Sequence, residues 1–499
     1  MSTPDLTPLP YLGNYVGGRF VKVSPSKADG HLLSVSPRDV TDEIWRGTFR
    51  LEAIEEAVEA GRKARQGWGE LPLAGRLKIL GKIKAQLRNH REELVLLLAR
   101  EAGLPLWEGE AEVKRAIELF TLLEGPARQQ LEQLTSLSED LEPVPLGLVA
   151  VLPDFASPLL DLHRGVLAVL AAGNVAIVHP HALTPGLGQL YARILDEADL
   201  PRGVFALVQG DSDLRAALAG HPGLDGVRLT SSAGMARRVA RLVQEQPWKT
   251  LRMRTPGKNP LLVLPGADLE RAARDAALGA YLTAGQRATS TRWVVVHRKL
   301  VSKFVPALDA CATRFRVGDP LDPETVVGPL ASEALRRAFL RHVRLGENEG
   351  NRVVRATGIV GADPVGWYVG PAIHEVPTIL EDSRYQMYPV LGPDLPIFSV
   401  RSTEEAFALV GSLDSLLCAS VHTSDAKLWN AARHALSVGR LIQNGPTTAR
   451  VAALPMPSGA QGRRSLLEGF FLLTEWVRPS VRIPADRQQD DTPVPPGLD

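Results

Sequence analysis

The sequence predicts an α/β protein in which a nucleotide-binding-type (Rossmann-like) domain with a mostly parallel sheet is joined to a second α/β domain. Three observations lead to this fold class. The chain has 499 residues, of which 44% are hydrophobic, so it can bury two or three cores. Short apolar segments alternate with helix-like segments from residue 146 to 250, and again from 251 to 436. This alternation is typical of right-handed βαβ units, whose ligands bind at the carboxyl ends of the strands.

The composition argues against several classes of function. The formal net charge is +1, from 57 Lys and Arg against 56 Asp and Glu, which does not favour binding to nucleic acid or to an anionic membrane. No apolar run reaches the roughly 20 residues needed to span a bilayer. Cys311 and Cys418 are too few and too far apart for a disulfide framework or a metal cluster, and the first residues lack a signal segment. We therefore expect a cytoplasmic protein with no metal, no nucleic-acid partner and no membrane partner.

The amino-terminal part is expected to form a hairpin followed by helices. Apolar and turn residues alternate from Tyr15 to Val21, which predicts a β-hairpin ahead of the main body. From Leu51 the apolar residues recur at helical spacing until Gly103 and Pro105 end the pattern. Two to four amphipathic helices should therefore precede the first α/β unit.

The first α/β unit begins with a fully apolar segment from Leu146 to Pro153, of the kind that forms a buried parallel strand. Further strands are predicted at residues 174–178, 203–208, 226–230, 293–297, 395–400 and 416–421, with helices at 158–172, after Thr184 and Pro185, and at 212–219. Two α/β domains with a cleft between them are the expected architecture.

Several short segments of the sequence, taken in order, resemble the motifs of a known family. They are residues 172–178, 183–185, 200–210, 258–261, 283–287 and 444–448. In this order and spacing they resemble the aldehyde dehydrogenase superfamily, and within it the succinylglutamate semialdehyde dehydrogenase branch. The resemblance runs from about Tyr15 to Pro479 and implies an aldehyde-dehydrogenase fold with a small β oligomerisation element.

The resemblance also implies a chemistry whose residues are missing. Family members use a cysteine thiolate as nucleophile, a glutamate as general base and an asparagine to hold the oxyanion. The family's Gly-Gln-Arg-Cys-Thr has Ala288 in place of the cysteine, and the position of the base holds Arg254. Arginine stays protonated and cannot accept a proton. The oxyanion asparagine is matched by Ala156, so we expect no intact catalytic residue.

The positions that hold NAD or NADP in the family are altered as well. His179 and Ala182 stand where a lysine and a glutamate hold the adenosine ribose, and Ser231 and Ala236 replace glycines near the pyrophosphate, where their side chains are expected to add bulk. The glutamate and phenylalanine near the nicotinamide ribose align with Gln386 and Tyr388. We therefore predict no bound cofactor.

By resemblance, the chain divides into five parts. They are a nucleotide-binding-type domain (1–135 and 149–250), an oligomerisation element (136–148 and 465–483), a former catalytic α/β domain (251–440), a segment returning to the first domain (441–464) and a disordered tail (484–499). The apolar run from Gly469 to Val477 is expected to be a strand that pairs with a partner subunit, because an exposed strand of this kind is an aggregation hazard. A homodimer or a dimer of dimers follows from this.

Other side chains offer alternatives. Thr289 and Ser290 are candidate substitute nucleophiles without a nearby base, Cys418 is expected to be a buried structural thiol, and His179 with His181 is expected to be a chance surface pair. Arg463 and Arg464 are expected to be solvated loop residues, with an anion contact as the alternative.

Three functions remain open. The first is a pseudoenzyme that acts by assembly with itself or with an active paralogue. The second is a protein whose old cleft, lined by Arg254 and Arg287, binds a small anionic ligand such as a carboxylate or phosphate. The third is an NAD(P)-dependent semialdehyde dehydrogenase, an oxidoreductase whose active site is altered or engineered.

Overall fold

The computed structural model describes residues 6–361, 364–380, 382–388, 390–413, 416–456 and 464–484. The elements of the first half are β1 (Asn14–Val16), β2 (Arg19–Val21), β3 (Gly30–Val35), β4 (Glu43–Phe49), α1 (Ala53–Glu70), α2 (Leu73–Asn89), α3 (Arg91–Ala102), α4 (Leu106–Leu122), α5 (Arg128–Thr135), β5 (Leu141–Pro145), β6 (Leu148–Leu152), α6 (Pro158–Ala171), β7 (Val175–Val178), α7 (Pro185–Glu197), β8 (Phe205–Leu207), α8 (Ser212–Gly220), β9 (Gly226–Thr230), α9 (Ala233–Gln244) and β10 (Thr250–Arg254). A π-helical turn, Leu123–Ala127, joins α4 to α5.

The elements of the second half are β11 (Pro260–Val263), α10 (Leu269–Tyr281), β12 (Trp293–His297), α11 (Arg298–Ala312), α12 (Glu333–Asn348), β13 (Arg352–Arg355), β14 (Ala372–Val376), α13 (Arg384–Met387), β15 (Asp394–Val400), α14 (Thr403–Gly411), β16 (Cys418–His422), α15 (Ala426–Ala435), β17 (Arg440–Gln443) and β18 (Val477–Val481). Short 3-10 helices lie at Pro25–Lys27, Leu282–Gly285, Gly469–Phe471 and Thr474–Trp476.

The first sheet has the strand order β10-β9-β6-β7-β8-β1-β2. The five strands from β10 to β8 in this order are parallel, and β1 joins β8 in the antiparallel direction. Every residue of β6 is buried, as expected for an apolar strand covered on both faces. The predicted hairpin is confirmed as β1 and β2, which extend the edge of this sheet.

The helices ahead of β6 are more numerous than predicted. The described residues contain five α-helices there, α1 to α5, instead of two to four. Gly103 and Pro105, which were interpreted as the end of the helical pattern, are a turn between two helices. Gly103 has φ 70° and caps α3, and Pro105 directly precedes α4.

The second sheet has the order β13-β14-β15-β12-β11-β16-β17. All its neighbours pair in parallel except β13, which is antiparallel to β14. The three strands predicted here are present within two residues of their expected bounds. Cores of buried aliphatic and aromatic side chains pack on both sides of this sheet, between strands and helices.

The prediction of a strand from Gly469 to Val477 is wrong. Residues 469–476 form two 3-10 turns, and the strand β18 begins at Val477 and pairs antiparallel with β5. The chain turns because Glu468 and Gly469 have positive φ angles of 57° and 55°, and because the Glu475 carboxylate accepts hydrogen bonds from the Leu467 and Glu468 amides. The side chains of the expected strand, such as Trp476, are instead buried against the first domain.

No helix among the described residues is long and apolar enough to cross a membrane. The tail from residue 485 and Arg463 lie outside the described residues. The predicted domain boundaries stay a prediction.

Candidate functional site

The three positions predicted to have lost catalytic groups lie together. Ala156, Arg254 and Ala288 line one cavity of about 110 Å³ between the two α/β units. Ala156 follows β6, and Arg254 is the last residue of β10, so the carboxyl ends of the first sheet's strands form one wall. Ala288 lies in the turn after α10, on the opposite wall. The cavity therefore lies at the edge of the sheet where parallel-sheet proteins usually bind their ligands.

The backbone of the turn that leads to Ala288 adopts conformations that are unusual for residues other than glycine. Thr283, Ala284 and Gly285 have consecutive φ angles of 54°, 49° and 67°, in the left-handed region. A side chain at Gly285 would lie 2.2 Å from the Gly392 carbonyl oxygen. Arg292 is buried beneath this turn and donates hydrogen bonds to the carbonyl oxygens of Gly285 and Gly392. These contacts hold the backbone of the turn that leads to Ala288, whose side chain is a methyl group.

The candidate substitute nucleophiles gain no support from their surroundings. Thr289 lies in the cavity wall, whereas Ser290 is fully buried. The Cys418 thiol is buried in β16 and lies 3.3 Å from the Thr447 carbonyl oxygen. Burial raises the pKa of this thiol to about 11, so it is held as a thiol, in agreement with the predicted structural role.

Arginines dominate the cavity wall. The described lining residues include six of them, which are Arg115, Arg164, Arg254, Arg287, Arg440 and Arg450. The sequence indicated Arg254 and Arg287, because both adjoin recognised motifs. The other four come from α4, α6, β17 and the segment after it, and no local pattern connects them.

One buried carboxylate neutralises part of this charge. Glu468 lies 3.0 Å from Arg164, 2.8 Å from Arg228 and 3.2 Å from Arg254, and Arg228 also pairs with Asp161 at 2.7 Å. Burial alone would raise the pKa of Glu468, but the three guanidinium groups hold it far below its ordinary value. Sequence reasoning missed Glu468, since it precedes a run that was interpreted as a strand.

Other arginines of the cavity are paired less fully, although Glu112 and Glu108 attract Arg115. Arg287 pairs with Glu108, but neither Arg115 nor Arg450 forms an ion pair within the part of the chain that the structure describes. Burial, followed by repulsion from Arg287, lowers the pKa of Arg115. Arg450 also lines the cavity and keeps part of its surface in solvent, but partial burial and repulsion from Arg164 and Arg115 lower the pKa of its guanidinium to about 9. The cavity is therefore suited to an anion.

An acidic side chain, Asp154, also lines the cavity. It follows β6 and lies close to Asp161 of α6, whose carboxylate accepts a hydrogen bond from the Asp154 amide at 3.0 Å. Burial and the Asp161 charge together raise the pKa of Asp154 to about 7.

The positions expected to hold NAD or NADP do not fit that cofactor. His179 is 1% exposed and its Nε2 lies 3.1 Å from the Asp211 carbonyl oxygen, so it does not reach a ribose hydroxyl. Ala182 has no polar side-chain atom. The first turn of α9 is already capped by Ser232, which accepts a hydrogen bond from the Met235 amide, while Ser231 lies just before this cap, partly buried.

Two interpretations at these positions are corrected. Ala236 does not add bulk near a phosphate, because it is 4% exposed and packs into the core beneath α9. His179 and His181 are not a surface pair, since His179 is buried and the His181 ring packs against Phe155 at 5.1 Å. Among the described residues no group of three metal-binding side chains is present.

The residues aligned with the nicotinamide contacts point to other roles. Gln386 is 2% exposed and binds its own loop, accepting a hydrogen bond from the Leu380 amide and donating one to the Thr378 carbonyl oxygen. Tyr388 is 72% exposed. Neither residue belongs to the described lining of the cavity.

Comparison with known proteins identifies the family. The model of the aldehyde dehydrogenase family matches residues 30–461, which is most of the chain. The chain belongs to the aldehyde dehydrogenase family. N-succinylglutamate 5-semialdehyde dehydrogenase of Sphingopyxis alaskensis is 29% identical over 434 residues, covering 85% of this chain and 88% of that protein. Malonate-semialdehyde dehydrogenase 2 of Oceanobacillus iheyensis is 27% identical over 482 residues, covering 93% and 98%.

Solved structures give the same aldehyde dehydrogenase fold. The NAD+ complex of aldehyde dehydrogenase from Bacillus cereus superimposes with a TM-score of 0.86 at 25% identity, covering 94% of this chain and 95% of that one. The predicted fold class and the resemblance to the succinylglutamate semialdehyde dehydrogenases are thereby confirmed. This member of the aldehyde dehydrogenase family carries arginine and alanine at the centre of its cavity.

Proposed function

We propose that this protein is a pseudoenzyme of the aldehyde dehydrogenase family that binds a small anion and oxidises no aldehyde. The observation that carries the proposal is the cavity itself, in which six arginines surround Ala156 and Ala288. An anionic carboxylate or phosphate group is the ligand that such a wall favours.

The family's reaction requires a polarisable nucleophile and a group that accepts a proton. Ala288 has no heteroatom, and the guanidinium of Arg254 is bound to Glu468. Ala156 offers no side-chain donor to an oxyanion, a contribution that is commonly worth about a hundredfold or more in rate. A substrate in this cavity would therefore contact positively charged side chains, but no nucleophile or general base at the family's catalytic positions.

Cofactor binding is expected to be weak for the same kind of reason. A charge-assisted hydrogen bond contributes about 1.5–3 kcal/mol, and the ribose contacts at His179 and Ala182 are absent. Losing two such contacts weakens affinity by about a hundredfold or more. A micromolar dissociation constant for NAD or NADP in calorimetry would contradict this proposal.

The anion site is tested by calorimetry with a panel of small dicarboxylates, phosphates and sulfate. The variant Arg115→Gln removes a charge that forms no ion pair with any described residue, and we expect it to weaken binding by about 10- to 100-fold. Arg337→Gln, on the exposed surface of α12, is the matched control and should leave affinity unchanged. Absence of binding by every anion of the panel would refute the proposal.

Assembly is part of the same proposal. The two-stranded sheet of β5 and β18 has exposed apolar residues around it, with Leu137 74%, Val481 66% and Ile483 54% exposed. Such a surface supports a homodimer, a dimer of dimers, or pairing with an active paralogue. The free thiols at Cys311 and Cys418 are consistent with a cytoplasmic protein.

The competing function is a semialdehyde dehydrogenase whose site is altered or engineered at Ala288. This function is supported by the similarity of the chain to relatives that are semialdehyde dehydrogenases. A dehydrogenase assay of the unmodified protein with N-succinylglutamate 5-semialdehyde and NAD or NADP separates the two functions. Turnover at ordinary enzyme rates would favour the oxidoreductase.

A further inference from the structure

Asp154 is an acidic side chain in the wall of an arginine-rich cavity, yet it forms an ion pair with none of the arginines that the structure describes. Its Oδ1 accepts a hydrogen bond from the Phe155 amide at 2.8 Å, and no ion pair joins it to any other described residue. Arg164 and Arg254 are instead held by Glu468. The carboxyl group of Asp154 is therefore left beside the space that an anion would fill.

The charged groups around Asp154 come from several elements. Asp161 faces it from α6, and Arg215 of α8 lies behind it, donating hydrogen bonds to the Pro153 and Thr230 carbonyl oxygens. The arginines in the described lining of the cavity are Arg254 of β10, Arg115 of α4, Arg164 of α6, Arg287 of the turn after α10, Arg440 of β17 and Arg450. Burial of the Asp154 carboxyl group and repulsion from Asp161 oppose the attraction of Arg215, which favours the ionised form.

We propose that Asp154 binds the ligand in its neutral form, and that its carboxyl O–H donates a hydrogen bond to an oxygen of an oxyanion that the arginines hold. The inference rests on the proposed anion site and adds to it a specificity-determining residue. Each binding event then takes up a proton from solvent when Asp154 is ionised beforehand, and no covalent bond is made or broken. The ligand class is a small oxyanion, either a carboxylate or a phosphate- or sulfate-like group.

The sign of the pH dependence follows from this role. The pKa of Asp154 in the free protein is about 7, and a bound anion raises it further by repulsion and by neutralising arginines. Affinity is therefore fully present below pH 7 and falls as pH rises through that value, until Asp154 is ionised in the complex as well. One linked proton changes affinity by at most about tenfold per pH unit.

The test measures the affinity of the full-length protein for sulfate and for succinate by calorimetry between pH 6.5 and 8.5, where neither probe titrates. We expect affinity to fall about 10-fold or more across this range, with proton uptake shown by different heats in buffers of different ionisation enthalpy. Asp154→Asn keeps a hydrogen-bond donor without a charge, so its affinity should not depend on pH. The control Asp199→Asn removes an exposed carboxylate at a left-handed position, which asparagine tolerates, and should behave like the parent protein.

The outcomes separate this inference from the proposed function. If the parent protein binds neither sulfate nor succinate, nor any anion of the larger panel, the proposed anion site itself fails. If it binds them with the same affinity at pH 6.5 and 8.5 and without proton uptake, the anion site stands and the role of Asp154 is wrong. The buffer comparison needs no variant, so misfolding of Asp154→Asn would not prevent a decision.

Discussion

Replacing Glu468 by glutamine should destabilise the docking of the carboxyl-terminal segment strongly. Glu468 is 4% exposed, and its carboxylate contacts Arg164, Arg228 and Arg254 at 2.8–3.2 Å. Glutamine keeps the shape but leaves three buried guanidinium groups with less negative charge. Breaking one side of a buried ion pair costs about 3–5 kcal/mol, and we expect the lower end because the glutamine oxygen still accepts a hydrogen bond. A typical protein has only about 5–15 kcal/mol of stability in total.

The assay is hydrogen exchange of residues 464–484 together with guanidinium unfolding. Because a chain with several domains need not unfold in two states, the local exchange rate is the primary measurement. A loss of about 3 kcal/mol speeds exchange by about a hundredfold wherever this segment opens locally. Glu59→Gln, which removes a half-exposed partner of Lys63 on α1, is the matched control and should change exchange little.

The pH dependence gives a second check on the same reasoning. The arginines lower the pKa of Glu468 from its ordinary value of 4.5, so its stabilising contribution is present above that value and is lost as pH falls through the folded-state pKa. The difference between parent and Glu468→Gln should therefore be full at pH 7 and shrink in strong acid. Equal exchange rates for parent, Glu468→Gln and Glu59→Gln at pH 7 would refute the account of the buried network.

Three further predictions concern the site, the thiols and assembly. Ala288→Cys should react with iodoacetamide, because cationic Arg254 lines the same cavity, yet should oxidise no aldehyde; NAD-dependent oxidation at ordinary rates would show that a single engineered change had silenced an active enzyme. Cys418, with its pKa raised to about 11, should remain unlabelled by a thiol reagent at pH 8 until the protein is unfolded, and rapid labelling of the native protein would contradict its buried position. Light scattering should give a dimer or tetramer at micromolar concentration, and a monomer would remove the proposed role of the β5–β18 sheet in assembly.

Much of the fold follows from local sequence patterns. Fully buried strands such as β6 are continuous apolar runs, and the period of βα alternation then restricts the topology. The segment after Glu468 could not be predicted in this way. Its apolar residues suit a strand, but a carboxylate at Glu475 binds two preceding amides and bends the chain into 3-10 turns. Tertiary contact overrides local propensity there.

The candidate site was predictable where it coincides with motifs. Ala156, Arg254 and Ala288 were found by their place in recognisable phrases, and the fold brings them to one cavity. Arg115 and Arg450 are more than 300 positions apart and belong to none of the recognised motifs. Only the folded chain therefore shows that both line the same cavity. The direction of the Ala236 side chain, into the core, likewise depends on how α9 packs on the sheet.

Because of the position of Glu468, the carboxyl-terminal segment would compete with a bound anion for the arginines of the cavity. Its carboxylate already occupies guanidinium groups of Arg164 and Arg254, two of the arginines that an incoming anion would contact. The backbone at Glu468 is held at φ 57°, a left-handed conformation that is strained for a residue other than glycine. A ligand that draws these two arginines toward itself weakens the hold on Glu468, and through it on the chain leading to β18. We therefore expect occupancy of the cavity and the position of the strand proposed to join subunits to be linked through the Glu468 carboxylate.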